Sequence, residues 1–571
     1  MLRVRRAADV ARDGQTGVVH IVVGSAIGGV LLTPETGDVV LVSGEDFPAE
    51  AARREAEHPR WVWDDTGRWY PQLLAQRVRV ERCIDLRLCH TILRNSELTG
   101  ESELARRAPG SWDRVPVEQK APDGALFDVG DFDEDDEPAD DTDPVAEWSL
   151  QQAAVAGSAE PGRIGRLLAA ESAGALIAAE MRFAGMPWSA QVHDDILVET
   201  LGPRPKSGER PVKLDALLTE MRTLLDVPDL NPDSPNELLK GLAKGGVLAT
   251  STRSWELKKI KHPAIIPLLE YKKLSRLASA NGWHWVDTWV EDDRFRPDYV
   301  VGAAATGRWG TDGGGALQLP KQIRSASVAD QGWKLVVADA AQLEPRILAA
   351  MAGDREMVAA GAKGDLYAGI VESGTIDTRE HAKVALLGAM YGATQGDGGR
   401  LMPLLAKAYP KAIAMVEDAA RAGEKGEIVS TRLGRSSPLP GERWRELQAD
   451  AYGESSSPAA ADRARSYARG WGRFTRNFIV QGTAAEWALC WMASLRRRLT
   501  ALSPNIWFTD GPHLVFFLHD EVVVHTPAEL AEVVADEVRA AAKDAGELLF
   551  GRLPADFPVT VATVDNYGQA K

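Results

Sequence analysis

Two aspartates stand where buried strands would end, and their carboxylates could bind metal ions. Asp339 follows the apolar run 335–338, and Asp520 lies between two apolar runs that predict a β-hairpin. Each acid alone is more typical of a solvated loop. Together they would supply the hard oxygen ligands that Mg2+ requires, and two such ions about 4 Å apart clamp the attacking and leaving oxygens in phosphoryl transfer. The pair therefore favours metal-dependent chemistry on a phosphate ester.

A mixed stripe of side chains follows one face of a helix predicted at 376–392. Asp377 could be its N-cap and Gly392 could end it. Residues four apart share one slowly turning helix face. The stripe consists of Arg379, Lys383, Leu387 and Tyr391. Two cations, then an apolar and an aromatic residue, would meet a triphosphate at one end and a base at the other. The alternative is a surface helix that packs Leu387 and Tyr391 into the core.

A second helical stripe places polar side chains four residues apart. Arg473, Asn477 and Gln481 precede an apolar helical segment with small residues. Such side chains can reach purine N3 and pyrimidine O2 in the minor groove without reading sequence. The alternative is a helix whose first half is exposed to solvent.

These side chains need a mixed α/β scaffold to position them. β-Branched runs at 18–23, 29–32 and 38–42 predict a small β-meander. The chain from about 165 to 294 is mostly helical in pattern, and 303–571 mixes strands with long helices. Because 571 residues exceed one hydrophobic core, we expect several domains.

The net charge of −16 is unusual for a protein that binds phosphates, but much of it is local. The run between Asp128 and Asp143 contains ten acids and no base, which predicts a disordered linker. Basic clusters lie on helical patterns downstream, at 213–222, 257–262 and 270–276. We expect a basic face in this later part of the chain.

Composition excludes several classes of protein. No apolar run approaches the roughly 20 residues that span a bilayer, and the basic start of the chain lacks the apolar core of a secretory signal. Cys83, Cys89 and Cys490 have neither CxxC spacing nor the numbers for a disulfide framework. We therefore expect a cytoplasmic protein without a membrane role.

The four chemical stretches, taken in order, resemble the motifs of the DNA polymerase I family, family A. DAAQLEPR at 339–346 resembles motif A, HDE at 519–521 resembles motif C, and the helix from Arg379 resembles the family's fingers helix, R-x3-K-x3-L-G-x2-YG. The TGR…LQLP segment before motif A, LNPDSPNELLKGL and the closing VDNYGQAK are also similar to family sequences. The resemblance covers most of the chain after about residue 165.

The resemblance implies a right-hand polymerase with palm, fingers and thumb, which transfers a nucleotide to a primer 3'-hydroxyl by two-metal chemistry. Asp339 and Asp520, with the carbonyl of Ala340, would bind two Mg2+ or Mn2+ ions. Glu521 would lie beside the primer end, and Lys383 would also act in catalysis. Primer-template DNA and dNTPs would be the partners of a monomeric protein.

The resemblance also assigns contacts to substrates. Glu344, working with Tyr391, would exclude a ribose 2'-hydroxyl. The nucleotide-binding residues would further include Gln342, Tyr367, Arg379, Lys383 and Leu387. The primer-template would contact Arg308, Arg473, Asn477, Gln481 and His519. Leu387 stands where the family has Phe or Tyr, and Tyr367 stands where a His often helps to bind the triphosphate, so nucleotide affinity should differ from the family's.

Before residue 165 the resemblance is weaker and points to a 3'-5' exonuclease domain on an RNase-H-like sheet. Asp85 matches a family aspartate, and Asp64 or Asp65 stands where an Asn would be. The first strand, VVHIVVGSAIGG, contains no acid where the family has Asp-x-Glu. Because that domain binds two metals through clustered carboxylates, we expect a folded but inactive exonuclease-like domain.

The predicted organisation is a mixed α/β, multidomain polymerase preceded by an RNase-H-like unit. The segments are 1–115 exonuclease-like, 116–160 acidic disordered linker, 161–300 thumb and palm entry, 301–360 palm with motif A, 361–470 fingers and 471–571 palm with motif C. The predicted function is template-directed DNA synthesis in replication or repair. The alternatives are a bifunctional exonuclease and polymerase, and a catalytically weak homologue that binds DNA.

Overall fold

The computed structural model describes residues 19–114, 142–393, 396–452, 457–551 and 555–570. They divide into two units, the first comprising the described residues up to Leu176 and the second those from Ile177 onward. In these described stretches, no helix has the length and apolar character needed to cross a bilayer.

A mixed five-stranded sheet forms the centre of the first unit. Its strands are β1 (His20–Ala26), β2 (Gly29–Pro34), β3 (Val40–Val42), β4 (Arg60–Trp63) and β5 (Cys83–Asp85). The order is β3-β2-β1-β4-β5: β2 is antiparallel to β1 and β3, whereas β4 is parallel to β1 and β5. Trp61, Val62 and Trp63 are all fully buried, so β4 is covered on both faces. The predicted β-meander is confirmed as β1 to β3.

The described residues up to Ala184 also form six α-helices. They are α1 (Phe47–Glu55), α2 (Thr66–Ala75), α3 (Leu86–Asn95), α4 (Glu103–Arg106), α5 (Pro144–Ala156) and α6 (Pro161–Ala184). The helix α6 begins in the first unit and ends in the second.

The predicted disordered linker at 116–160 is wrong for its last part. Asp143 caps α5 by accepting hydrogen bonds from the main-chain N–H groups of Val145 and Ala146, and a proline begins the helix. Glu147 is buried against His90 of α3, with 2.8 Å between Oε1 and Nδ1. The acidic run therefore ends in a helix cap, while its members from 128 to 141 lie outside the described residues.

The first unit also extends beyond the predicted boundary at 161. The Ser172 hydroxyl of α6 accepts a hydrogen bond from the Asp85 N–H at 3.1 Å, and the Ser172 carbonyl lies 3.5 Å from the Cys83 sulfur. The start of α6 therefore packs on the edge of the five-stranded sheet and belongs to this unit rather than to the second.

The second unit begins with a helical region and short strands. The helices are α7 (Ala190–Leu201), α8 (Val212–Leu225), α9 (Pro235–Lys244), α10 (Ser254–Leu257), α11 (Ile265–Asn281) and α12 (Trp283–Trp289). The strands are β6 (Met186–Pro187), β7 (Val290–Glu291), β8 (Arg294–Phe295), β9 (Tyr299–Val300) and β10 (Gly310–Thr311). The helical pattern read between 165 and 294 is confirmed.

An antiparallel four-stranded sheet follows, and it carries both predicted metal-binding aspartates. Its strands are β11 (Trp333–Ala340), β12 (His513–Leu518), β13 (Glu521–Pro527) and β14 (Val559–Val564), in the order β12-β13-β11-β14. Long apolar runs form β11, β12 and β13 because these strands are buried on both faces.

Nine helices surround or extend from this sheet within the described residues. They are α13 (Leu343–Ala352), α14 (Arg355–Gly361), α15 (Leu366–Glu372), α16 (Arg379–Tyr391), α17 (Gly396–Ala408), α18 (Pro410–Glu424), α19 (Glu442–Tyr452), α20 (Pro458–Leu502) and α21 (Ala531–Phe550). The N-cap of α16 is Thr378, not Asp377, whose carboxylate contacts His381 instead. Gly392 ends α16 in the left-handed conformation, at φ 71°, as expected.

Candidate active site

Asp339 and Asp520 are brought together by strand pairing. Asp339 is opposite Glu521 in the register of β11 and β13, and the N–H of Ala340 donates to the carbonyl of Asp520 at 2.9 Å. His519 and Asp520 form the two-residue turn between β12 and β13, and His519 has a φ of 60°. Both aspartates are partly exposed at this end of the sheet. The structure thus confirms the predicted hairpin with its acid at the tip.

The donors at this end of the sheet fit a hard cation. Among the described residues, no group of three or more His, Cys, Asp or Glu side chains is arranged to hold a metal. Two carboxylates and main-chain carbonyls suit Mg2+, which usually binds few protein ligands and keeps water or phosphate oxygens for the rest. They do not suit a structural zinc ion, which needs four protein ligands.

Glu521 lies in a buried cluster behind the aspartates. Its side chain is 2% exposed, Oε1 lies 3.2 Å from Nη1 of Arg324, and the Tyr567 hydroxyl donates to the same oxygen. The Arg324 guanidinium also lies over the Tyr567 ring, 4.7 Å from its centroid. Burial, followed by the charge of Glu521, raises the pKa of Tyr567. Glu521 is therefore anchored on the side of the sheet core, and its predicted place beside a primer end stays a prediction.

Glu344 of the helix α13 contacts Tyr391 at the end of the helix α16. Its carboxylate accepts a hydrogen bond from the Tyr391 hydroxyl at 2.7 Å and forms an ion pair with Arg308. Partial burial and the hydrogen bond to Glu344 raise the pKa of Tyr391 to about 12. An interaction with Gln481 of α20 acts on this pKa in the opposite direction. Glu344 and Tyr391, which are predicted to exclude a ribose 2'-hydroxyl, therefore lie together with Arg308 and Gln481, two of the predicted DNA contacts.

The stripe on α16 remains accessible. Arg379, Lys383 and Tyr391 are exposed and Leu387 is half-buried. The face packed against the protein is formed instead by Ala382, Ala385, Leu386, Ala389 and Met390. The alternative interpretation, with Leu387 and Tyr391 in the core, is therefore not what the structure has.

Asp365, at the start of α15, contacts both Gln342 and Arg379, and the Tyr367 ring lies against Arg379. Gln342 bonds Asp365, the N-cap of α15, and Tyr367 is only 6% exposed, with the Arg379 guanidinium 5.6 Å from its ring centroid. Tyr367 is thus a support beneath Arg379 as the structure has it. Asp365 was absent from the sequence prediction, because a helix N-cap carries no functional signal by itself.

The stripe on α20 is likewise open, with Arg473 exposed and Asn477 and Gln481 half-buried. The neighbouring Arg476 is 6% exposed and donates to the Ala389 carbonyl at 2.6 Å, so it fastens α16 to α20. Sequence reasoning missed Arg476, since one arginine among three in a segment looks like another solvated residue. The hydrogen bond from Arg476 to Ala389 helps to set the position of the stripe on α16 relative to the stripe on α20.

Arg346 is a second buried arginine that the sequence did not reveal. It is 4% exposed, and its guanidinium donates to the carbonyls of Ala341, Gly361, Gly364 and Asp556. These carbonyls belong to the turn after β11, the last residue of α14 and the segment that follows it, and the segment before β14. Arg346 therefore supports the turn that carries the residues after Asp339.

Carboxylates of the first unit serve local structure. Asp85 caps α3 and accepts hydrogen bonds from the Thr66 N–H at 2.8 Å and the Thr66 hydroxyl at 2.7 Å. Burial, aided by the charge of Asp65, raises its pKa to about 7. Asp64 accepts from Arg68 at 2.8 Å and from Trp69 at 2.5 Å. The strand β1, HIVVGSA, supplies no acid to join them.

Comparison with known proteins places the chain in a family. Residues 204–569 match the model of DNA polymerase family A. The thermostable DNA polymerase I of Thermus filiformis is 28% identical over 60% of this chain and 39% of its own length. DNA polymerase I of Chloroflexus aurantiacus is 26% identical over 53% of this chain and 32% of its own length. The chain thus spans about two-fifths or less of these relatives.

A solved structure has the same architecture. It is described as the POL domain of Pol1 from M. smegmatis in complex with DNA primer-template and dNTP, and it superposes with a TM-score of 0.67 at 18% identity, over 97% of this chain and 96% of that one. The likeness establishes the fold, and the predicted mixed α/β right-hand architecture is confirmed. Since the family model matches well over half of the sequence, this chain belongs to DNA polymerase family A.

Proposed function

We propose that this chain is a template-directed DNA polymerase, which adds deoxynucleotides to a primer 3'-hydroxyl. The observation that carries the proposal is the pairing of β11 with β13, which sets Asp339 beside the turn containing Asp520. The family match and the likeness to a domain solved in complex with DNA primer-template and dNTP support it. A merely DNA-binding homologue has no chemical need for this acid pair together with Arg379, Lys383 and Tyr391 on α16.

Asp339, Asp520 and the Ala340 carbonyl would hold the metal ions, with Mg2+ as the cation that fits and Mn2+ as a substitute. When bound, these ions supply Lewis-acid stabilisation of the phosphate oxygens. The chain's own contribution is positional. Arg379 and Lys383 would bind the triphosphate, Glu344 and Tyr391 would close the space beside the sugar 2' carbon, and the stripe from Arg473 to Gln481 would follow the primer-template minor groove.

Primer extension tests the proposal. A labelled primer on a single-stranded template, with all four dNTPs and Mg2+ or Mn2+, should lengthen by template-directed addition. Omission of one dNTP should stop synthesis at the first position that requires it, which distinguishes copying from untemplated addition. No extension with either metal would refute the proposal.

The half-buried Leu387 should pack only weakly on the nucleotide, because its side chain is smaller than an aromatic ring and is not planar. An aromatic side chain there would stack on the base or sugar, an interaction worth about 1 kcal/mol or more. We expect Leu387→Phe and Leu387→Tyr to lower the apparent KM for the nucleotide by up to about tenfold. The tyrosine variant should also accept dideoxynucleotides more readily. Single-nucleotide insertion with dNTP and ddNTP measures both effects.

The matched control is Val533→Phe, which adds the same ring to an exposed position on α21, a helix that carries none of the predicted nucleotide-binding residues. This variant should leave the apparent KM for the nucleotide unchanged. If wild type and both Leu387 variants have the same apparent KM for dNTP and for ddNTP, Leu387 does not face the nucleotide.

We also propose that the first unit is an exonuclease-like domain without nuclease activity. Support comes from its mixed sheet, from the absence of acids on β1, and from the use of Asp64 and Asp85 in local hydrogen bonds. Among the described residues of the unit, no three acids are grouped to hold a metal ion, as a two-metal nuclease would require.

Wild-type protein should therefore degrade a primer with a 3' mismatch no faster than the Asp339→Ala variant does. The assay follows loss of label from the primer end with Mg2+ or Mn2+ and without dNTPs. Metal-dependent trimming that persists in Asp339→Ala would place a working nuclease in the first unit.

A further inference from the structure

Asp365 lies at the junction of three elements near the predicted triphosphate site. As the N-cap of α15, its Oδ1 accepts from the Ala368 N–H at 3.1 Å. The same oxygen accepts from Nε2 of Gln342 at 2.8 Å, and Oδ2 accepts from Nε of Arg379 at 2.8 Å. One carboxylate thus links the turn after β11, the start of α15 and the start of α16.

Gln342 holds this carboxylate on the side of β11. Its main chain is in the left-handed conformation, at φ 57°, immediately before α13. Its side-chain oxygen accepts from the Leu366 N–H at 2.8 Å while its nitrogen donates to Asp365. The amide therefore satisfies one end of α15 and fixes Asp365, so the carboxylate's position does not depend on Arg379.

Arg379 is held on two sides. Asp365 contacts its Nε, and the Tyr367 ring lies beneath its guanidinium at 5.6 Å. Although partial burial acts in the opposite direction, hydrogen bonds from Arg379, Ala368 and Gln342 lower the pKa of Asp365 to about 2. The carboxylate is consequently charged at neutral pH, and the pair is fixed in orientation by neighbours that a simple surface ion pair lacks.

We propose that Asp365 is a positioning residue for the incoming nucleotide, which orients Arg379 so that the terminal nitrogens of its guanidinium face the triphosphate. The proposal rests on the proposed function. A guanidinium can bind on two edges, and the bond to Asp365 uses Nε. The opposite end, with Nη1 and Nη2, has the fork geometry that matches two phosphate oxygens. Orientation before binding reduces the entropy lost when the nucleotide binds.

The opposite arrangement would make Asp365 a competitor of the triphosphate for Arg379. In that case removal of its charge would strengthen nucleotide binding. The geometry favours positioning, because Gln342 and Ala368 hold Asp365 in place and because the Tyr367 ring lies against the guanidinium of Arg379.

The test substitutes Asp365→Asn, which keeps the size of the side chain and its capacity to cap α15 but removes the charge. The protein is bound to a primer-template whose primer ends in a dideoxynucleotide, so that the Kd of the next complementary dNTP is measured without chemistry. We expect the Kd to rise about tenfold. In steady-state extension KM should rise in parallel, while kcat should change by less than about threefold.

Two further variants separate positioning from a general structural role. In an Arg379→Lys background, which lacks the Nε edge, Asp365→Asn should add little to the loss of affinity, so the double-mutant cycle should show strong coupling. Asp377→Asn is the matched control, because Asp377 lies two residues before α16, is 68% exposed and contacts His381 instead. It should leave the nucleotide Kd unchanged.

An unchanged Kd in Asp365→Asn would overturn the proposal, and so would a lower Kd or additive effects with Arg379→Lys. Failure of the proposed function has a different signature. Wild-type protein would then extend no primer, whatever the nucleotide Kd values of the variants. A wild-type complex that binds no dNTP at all would overturn both.

Discussion

Alanine at Asp339 or at Asp520 should reduce the rate of nucleotide addition by about a thousandfold or more. Ion-mediated stabilisation of phosphate charge is worth several kcal/mol in a transition state, and about 4 kcal/mol corresponds to this factor. Because the ions act more strongly on the transition state than on bound DNA, each variant should still bind primer-template with near wild-type affinity. Single-turnover insertion and a DNA-binding titration measure the two quantities.

Asp536→Ala is the matched control for these variants. Asp536 lies on α21, is 81% exposed and pairs with Arg539 of the same helix. The substitution should alter neither insertion nor DNA affinity. Insertion within tenfold of wild type by Asp339→Ala or Asp520→Ala would remove that residue from the metal site, and loss of DNA binding in parallel with insertion would point to misfolding instead.

The elements that carry the site could be predicted because their patterns are local. The strands β11, β12 and β13 are continuous apolar runs, and α16 has a four-residue repeat with a glycine at its end. The pairing of Asp339 with Glu521 is not local: register between distant strands is set by packing of both faces, which one sequence does not display. The resemblance to known motifs supplied that link.

Charged side chains with structural roles account for much of what could not be predicted. Arg346, Arg476 and Asp365 have the composition of surface residues, and their roles come from main-chain carbonyls or caps that exist only after folding. The same reason explains the error in the acidic run. Asp143 belongs to the run of acids, but it caps a helix in which Glu147, one turn further on, is buried.

Arg324→Met should destabilise the second unit strongly. Arg324 is 11% exposed in its side chain and Glu521 is 2% exposed, so the substitution leaves a buried carboxylate without its cationic partner. Removal of one member of such a pair typically costs about 3–5 kcal/mol of unfolding free energy. Insertion should fall as well, since Glu521 follows Asp520 directly in the chain. Urea unfolding, with amide exchange of β13 as the local readout, measures the loss.

The paired variants decide whether charge or packing is responsible. Arg324→Met combined with Glu521→Gln removes both charges, and a glutamine oxygen can still accept from the Tyr567 hydroxyl, so part of the lost stability should return. Arg539→Met, which breaks an exposed pair on α21, should change stability little. If the double variant is no more stable than Arg324→Met alone, the loss comes from the packing of the Arg324 side chain on Tyr567, not from an uncompensated carboxylate.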